Sequence, residues 1–410
     1  MYLTQSSVLT QGILRSQVAH LLKRMAASEE FRFVLVTAER SEDLKRHDEV
    51  RRLRQELREA GVRLVILRKL LPKFLRVHSE KEKKADHLVS FALDLFFLIL
   101  ATGYLVLRYR VRVIHARSYI PGLVGLFYKR VFGVRLLWDP RGLIPEELSL
   151  ARGWESANWR YRTWKRLECR LLASSSTTLV LSRPFGQHYE KIHRRGRYVV
   201  TPCCVDTEMF RFDPEARGRR RGELRAEGRS IVVFSMGCYV PYQGLEMALA
   251  IFREIHSLRP EWLLLIMTPD ADEVRRAVVE SRISEEDFRV CAASFEEMPG
   301  YLSTADLALL VRVRSVASEV ASPVKFAEYL ACGLPVIATP GIGETEAVLR
   351  KFGAGIVVDP QAPDSMRVSL ESCLAQSPQQ RAQMREGART AAVRVYSWDN
   401  YLSTYRMLYK

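Results

Sequence analysis

Short runs of valine, isoleucine and leucine recur along this chain, spaced by stretches long enough for a helix. In its first half they are YLTQS (2–6), FRFVLVTAE (31–39), RLVIL (63–67), RVIHARS (112–118), VRLLWD (134–139), TTLVLS (177–182) and RYVVTP (197–202). In the second half they are SIVVFSMG (230–237), LLLIMT (263–268), FRVCAAS (288–294), DLALLVR (306–312), PVIAT (335–339) and AGIVVD (354–359). An apolar run without alternation marks a strand covered on both faces, and intervening helices imply parallel pairing. Seven units, a break and six more predict an α/β protein of two doubly wound domains. The break is charged, punctuated by glycine and poor in apolar residues, which predicts an exposed linker over 211–229. The expected domains are then 1–210 and 230–395, with a closing helix over 396–410.

One stretch imitates a membrane span. LVSFALDLFFLILATGYLVL (88–107) is apolar apart from Asp94, and about 20 residues suffice to cross a bilayer. A carboxylate near the bilayer centre costs about 2.5–3.5 kcal/mol, which opposes that reading. The stretch also lies between RLVIL and VRVIH (111–115), two strands that a span would leave on opposite sides. The expectation is a buried crossover helix with at most partial contact to lipid. Upstream, LRKLLPKFLRV (67–77) interleaves leucine and phenylalanine with lysine and arginine. Such pieces bind anionic bilayers, a solvated surface segment being the plainer alternative.

Length and composition fit this picture: 410 residues suit two domains, and 48% hydrophobic with 27% charged residues is a globular balance. Seven cysteines without a C-x-x-C pair point away from a zinc site or a disulfide framework. The opening MYLTQSSVLTQG has no charged-then-apolar leader pattern, so a reducing, cytoplasmic setting is expected. A formal charge of +16 calls for an anionic partner: nucleic acid, an acidic membrane surface or a phosphorylated substrate. No helix-turn-helix, zinc or aromatic RNA-reading motif supports nucleic acid.

In open parallel sheets, ligands bind beyond the carboxyl ends of strands. The residues there are polar and cationic: His115 and Arg117, Asp139 and Arg141, Gly237 and Tyr239, and Arg312. SPVKFAEYLACGLPVIATPGIGE (322–344) is the most informative stretch. Ser322 suits an N-cap and Pro323 a first helical residue. Lys325 then stands in the first turn, where the helix end already carries partial positive charge and disfavours a cation by about 0.3–1 kcal/mol. Glu328 lies three residues on, on the same face. Either the two pair in solvent, or an anionic ligand sits between Lys325 and the helix end.

The stretch RVRSVASEVASPVKFAEYLACGLPVIATPGIGETEAV resembles the donor-binding block of family 4 glycosyltransferases, in the subgroup with an SPxKxxEYLAxGLPVI signature. VIHARSYIPG, WDPRGLIPEE, VVTPCCVDTEMF, MGCYVPYQGLEMAL and YSWDNYLSTYRMLY resemble further blocks of that family, in the same order. The resemblance implies the GT-B fold, two Rossmann-like domains facing across a cleft, with the last helix crossing back to the N-terminal domain. It implies transfer of a sugar from a nucleotide-diphosphate donor to an acceptor hydroxyl, with retention, no metal and no cofactor beyond the nucleotide-sugar co-substrate. On the donor side it implies Lys325 and Arg312 at the diphosphate, with Ser322, Pro323 and Val324 at the helix end. Glu328 falls to the ribose, with Gly237, Tyr239, Gln243, Gly341 and Gly343 around them. On the acceptor side it implies His115 and Asp139 near the accepting hydroxyl, with Arg117, Ser118, Arg141 and Gly12 as further contacts. Acceptors in the family are commonly lipid-linked, so a lipid-linked or cell-surface polysaccharide intermediate and an anionic membrane surface are expected, at the inner face of the cytoplasmic membrane.

The sequence departs from the family at three places. The first of two family glutamates falls on Val320, with Glu319 one place off; the loop cations are replaced by Cys238 and Gln243; and CCVD stands for NGVD. A rival reading is therefore an inactive, basic GT-B-like protein that binds membrane or nucleic acid. DAD (270–272) imitates a metal motif but opens a helix, where acidic residues belong, and GIGETE (341–346) lacks the third glycine of a dinucleotide fingerprint.

Overall fold

The computed structural model describes residues 1–9, 12–69, 84–237 and 243–410, with side chains from 92 onward in the helix that begins at 84. Each of the thirteen apolar runs holds a strand. The first compact unit comprises Met1–Thr201 and Tyr401–Lys410. Its strands are β1 (Tyr2–Leu3), β2 (Phe33–Arg40), β3 (Val62–Lys69), β4 (Val113–Arg117), β5 (Arg135–Asp139), β6 (Thr177–Val180) and β7 (Tyr198–Val200). They pair in parallel in the order β3-β2-β1-β4-β5-β6-β7.

The second unit, Pro202–Asn400, holds β8 (Ser230–Ser235), β9 (Trp262–Met267), β10 (Phe288–Cys291), β11 (Leu307–Leu310), β12 (Val336–Ala338) and β13 (Gly355–Val357). These are also all parallel, in the order β10-β9-β8-β11-β12-β13. Successive residues feed opposite faces. Ile231, Val233, Leu263 and Leu265 belong to one apolar layer, and Val232, Phe234, Leu264 and Ile266 to the other. That two-sided burial is why these strands read as unbroken apolar runs. In each unit the chain builds outward from its first strand to one edge, then crosses back. The reversal lies beside β1 and beside β8, the position at which open parallel sheets bind ligands beyond their carboxyl ends.

Two expectations fail. The helix α1 (Lys84–Arg108) is not a buried crossover. Leu98, Thr102, Leu105 and Val106 turn inward, while Phe96, Phe97, Leu100, Tyr104 and Leu107 are exposed. A helix lying on a sheet buries one stripe, and apolar residues on its far side have nothing to pack against. Among the described residues no helix is long and apolar enough to cross a membrane. The basic piece at 67–77 falls almost wholly outside the described residues. In the first unit α1 is followed by α2 (Tyr119–Phe132) and α3 (Trp159–Ser174).

The second concerns 211–229, which is exposed at most positions but is folded within the second unit and is not a bare linker. It contains α4 (Pro214–Glu223), whose Asp213 cap accepts the N–H groups of Glu215 and Ala216. Arg217 donates to the carbonyls of Ser303, Thr304 and Ala305 and, like Arg221, pairs with Asp306 (2.7 and 2.8 Å). Those carbonyls end the helix Met298–Thr304, so the arginines satisfy groups that a helix terminus leaves unpaired. Charge here glues an element down, as apolar contact does elsewhere. The remaining helices that matter below are α5 (Val324–Ala331) and α6 (Asp399–Tyr409).

Candidate active site

In the second unit, residues expected on the donor side lie where β8 and β11 end. Gly237 follows β8, its carbonyl accepting the Thr268 hydroxyl at 3.2 Å. Gln243 returns beside it and accepts a hydrogen bond through Oε1 from Lys325 Nζ at 3.2 Å. The structure thus joins Lys325 to Gln243, the residue that stands where the family has a cation. Tyr239 lies outside the described residues. Arg312 sits just beyond β11, its N–H donating to Thr339 Oγ1 at 3.1 Å, with its side chain partly exposed.

The start of α5 differs from the expected cap. Pro323, not Ser322, is the N-cap residue, and no side chain caps the first turn, which begins at Val324. The Ser322 hydroxyl instead accepts the Cys203 N–H at 3.2 Å. An uncapped helix start carries partial positive charge that favours an anion. Glu328 lies one turn further on. Burial pushes its carboxyl up to about 7, with Lys325 pulling the other way. Gly341 has φ 76° and Gly343 φ 46°. A Cβ on Gly343 would stand 1.9 Å from the Ala321 carbonyl, and its N–H already donates to Ser318 O at 3.0 Å. Close packing accounts for Gly343, and its amide is committed within the unit. Glu319 is exposed at the end of a short helical turn, Val316–Glu319, while Val320 is buried. Asp270 precedes a helix at its N-cap position without capping it through its side chain. Among the described residues no three potential metal ligands cluster.

In the first unit, β4 and β5 pair with Arg117 opposite Asp139, which brings the acceptor-side residues together. Asp139 Oδ2 lies 3.6 Å from His115 Nε2, 3.7 Å from Arg117 Nη1 and 3.6 Å from Arg141 Nη1. Burial alone would raise the Asp139 pKa, but Arg141, His115 and Arg117 together hold it below the usual carboxylate range. Burial lowers the His115 pKa, against the pull of Asp139. His115 Nε2, Arg117 Nη1 and Asp139 Oδ1 are buried without a hydrogen-bond partner. Buried polar atoms are rarely left so, and in a ligand site they mark where a ligand's own polar groups are received. The backbone is strained beside them: Ser118 has φ 79° and Arg141 φ 64°. Ser118 is held by its N–H to Asp139 O (2.7 Å) and by the Trp138 indole donating to its carbonyl (3.1 Å). Gly12 opens the turn Gly12–Leu14 beyond β1.

Three tyrosines of this cluster escaped the sequence reading. Tyr409 OH is 2.8 Å from His115 Nδ1, and Tyr2 and Tyr405 lay their rings 4.3 and 6.4 Å from the imidazole. Tyr405 and Tyr409 stand four apart on α6, a helical spacing that was the available signal; Tyr2 gave none. Glu39 was also missed. Fully buried at the end of β2, it accepts the Val8 N–H at 2.8 Å and the Ser7 hydroxyl, and so shapes the loop after β1.

Two family models match the chain: a "Glycosyl transferase 4-like domain" over 14–204 and "Glycosyl transferases group 1" over 217–391. A GDP-mannose-dependent alpha-(1-6)-phosphatidylinositol monomannoside mannosyltransferase of Mycolicibacterium smegmatis is 29% identical over 201 residues, 48% of this chain and 52% of that protein. A D-inositol 3-phosphate glycosyltransferase of Segniliparus rotundus is 26% identical over 311 residues, 73% of this chain and 66% of that protein. The matches thus span about half to two thirds of these relatives. Among solved structures, Anabaena HepE in complex with UDP-glucose superposes with a TM-score of 0.69 at 13% identity, covering 98% of this chain and 96% of that one.

Proposed function

The chain belongs to the GT-B glycosyltransferases, and from that premise we propose that it moves a sugar from a nucleotide-diphosphate donor to an acceptor hydroxyl, with retention and without a metal ion. The observation that carries this reading is the uncapped start of α5 with Lys325 tied to Gln243 beside it. As the bond between the anomeric carbon and the β-phosphate oxygen breaks, negative charge grows on the departing diphosphate. The helix end, Lys325 and Arg312 stabilise that charge, the role a divalent ion plays elsewhere. The acceptor oxygen bonds to the same carbon, and its proton leaves with the phosphate. Glu328 receives the ribose hydroxyls, Ser322, Pro323 and Val324 line the helix end, and Gly237 and Gly341 let backbone approach the donor.

On the acceptor side, Asp139 is ionised and its free Oδ1 accepts a hydroxyl hydrogen. Arg117 and Arg141 suit an acceptor that also carries phosphate. Relatives whose names include a phosphatidylinositol mannoside and an inositol phosphate support an anionic, lipid-linked acceptor met at a membrane surface. A screen of nucleotide-sugars by thermal shift tests the donor half: one nucleotide-sugar raises the melting temperature of the wild-type chain, and an absence of response to every one would refute the reading.

A further inference from the structure

The first unit carries a surface that nothing in sugar transfer uses. On α1, Phe97, Leu100, Tyr104 and Leu107 follow one another at helical spacing and are 51, 53, 64 and 63% exposed. Side chains this large and this open on one stripe are uncommon on a solvated helix and mark an interaction face. The stripe continues onto α2. Tyr128 OH donates to the Ile99 carbonyl of α1 at 2.6 Å, and its ring stacks on that of Phe132, which is exposed with Val131. Next comes α3, joined to α2 by Lys129 Nζ donating to Ser174 O at 2.7 Å and by the Tyr119–Trp164 ring contact. Its outward positions Arg162, Arg166 and Arg170 recur every four residues and are all exposed.

Among the described side chains of this layer the exposed charges have one sign. The sequence of α2 contains no carboxylate, and α3 contains only Glu168, which is fully buried. Among the described side chains of α1 the single acid is Asp94, which interacts with Lys69 of β3 and is not among the open positions. We infer that α1, α2 and α3 together form a docking surface for an anionic lipid bilayer, the apolar stripe entering the headgroup boundary and the α3 arginines meeting lipid phosphates. An apolar stripe beside cations without acids matches that chemistry. A second copy of the chain matches it poorly, because a twofold contact would set arginine against arginine with no carboxylate to receive either. The proposal rests on the membrane-side reading above and gives it a surface.

The test is co-sedimentation of the full chain with phosphatidylglycerol-containing vesicles, against pure phosphatidylcholine vesicles. The wild type should pellet with the anionic vesicles at low salt, and Phe97→Asp with Leu100→Asp should lower the partition coefficient by about tenfold or more. Arg162→Glu with Arg166→Glu should weaken binding at low salt and flatten its salt dependence. These positions are open to solvent, and an unchanged melting temperature verifies the fold of each variant. Equal pelleting of all three proteins would overturn the proposal. So would a wild-type dimer in sedimentation velocity that the Phe97 and Leu100 variant turns into monomer while vesicle binding is absent. Sugar transfer is judged separately: a chain that pellets but ignores every nucleotide-sugar keeps the surface and loses the enzymatic reading, and one that responds without pelleting does the reverse.

Discussion

Asp139 in the first unit is buried and Glu328 in the second partly so, yet their acidities move in opposite directions. Asp139 has two arginines and His115 within 4 Å, and their attraction outweighs burial. Glu328 has Lys325 as its opposing influence, and burial wins, raising it to about 7. The number of counter-charges, not depth alone, decides whether a carboxylate stays ionised. In the proposed reaction the two units serve different chemistry. The first keeps a lowered carboxylate among arginines, where the proposal puts the accepting hydroxyl. The second keeps a carboxyl near its midpoint beside Lys325, which also donates to Gln243.

The strongest way to break this contrast is Asp139→Asn. It leaves Arg117 and Arg141 without their buried counter-charge, and the first unit should lose about 3–5 kcal/mol of stability. Native-state hydrogen exchange on β4 and β5 measures it, with the second unit unaffected. A loss below 1 kcal/mol would mean that the arginines find other partners. A pH series sharpens the other side. The folded Glu328 holds its proton up to about 7, while the unfolded carboxyl, with a reference value of 4.5, releases it earlier. Between those values the folded state binds more protons, so Glu328 lowers stability progressively as pH rises, and levels off above 7. Relative to Glu328→Gln, the wild type should lose about 2 kcal/mol across that window, allowing for its partial solvation. A flat difference would contradict the raised acidity. Tyr409→Phe is the mildest probe. It removes the partner of His115 Nδ1 and should cost about 1 kcal/mol in the first unit.

The same physics explains what the sequence revealed. Strands buried on both faces, such as β9 with its run Trp262–Met267, announce themselves because no position can be polar. The helix that follows Ser322 and Pro323 was legible from its apolar spacing, but its cap was not: Pro323 stands there, and the Ser322 hydroxyl is turned to the Cys203 N–H. The α1 stripe was not, since an apolar residue facing water spells the same as one facing a core, and only the packing of Leu98 and Leu105 against the exposure of Leu100 and Leu107 separates them. Nor was α4: its arginines resemble a solvated run until the carbonyls of Ser303–Ala305 appear opposite them. The contact of Tyr409 with His115 joins residues 294 apart in sequence, beyond any local pattern.

The measurement that bears most directly on the account is turnover of a nucleotide-sugar by the wild type and Lys325→Ala, each with and without a chelator. If the cation in the first turn of α5 carries the departing diphosphate, the variant should turn over about a hundredfold more slowly, with its fold intact and both proteins indifferent to chelation. Wild-type rates in the variant, or a wild-type activity that collapses with chelator and returns with a divalent ion, would contradict it.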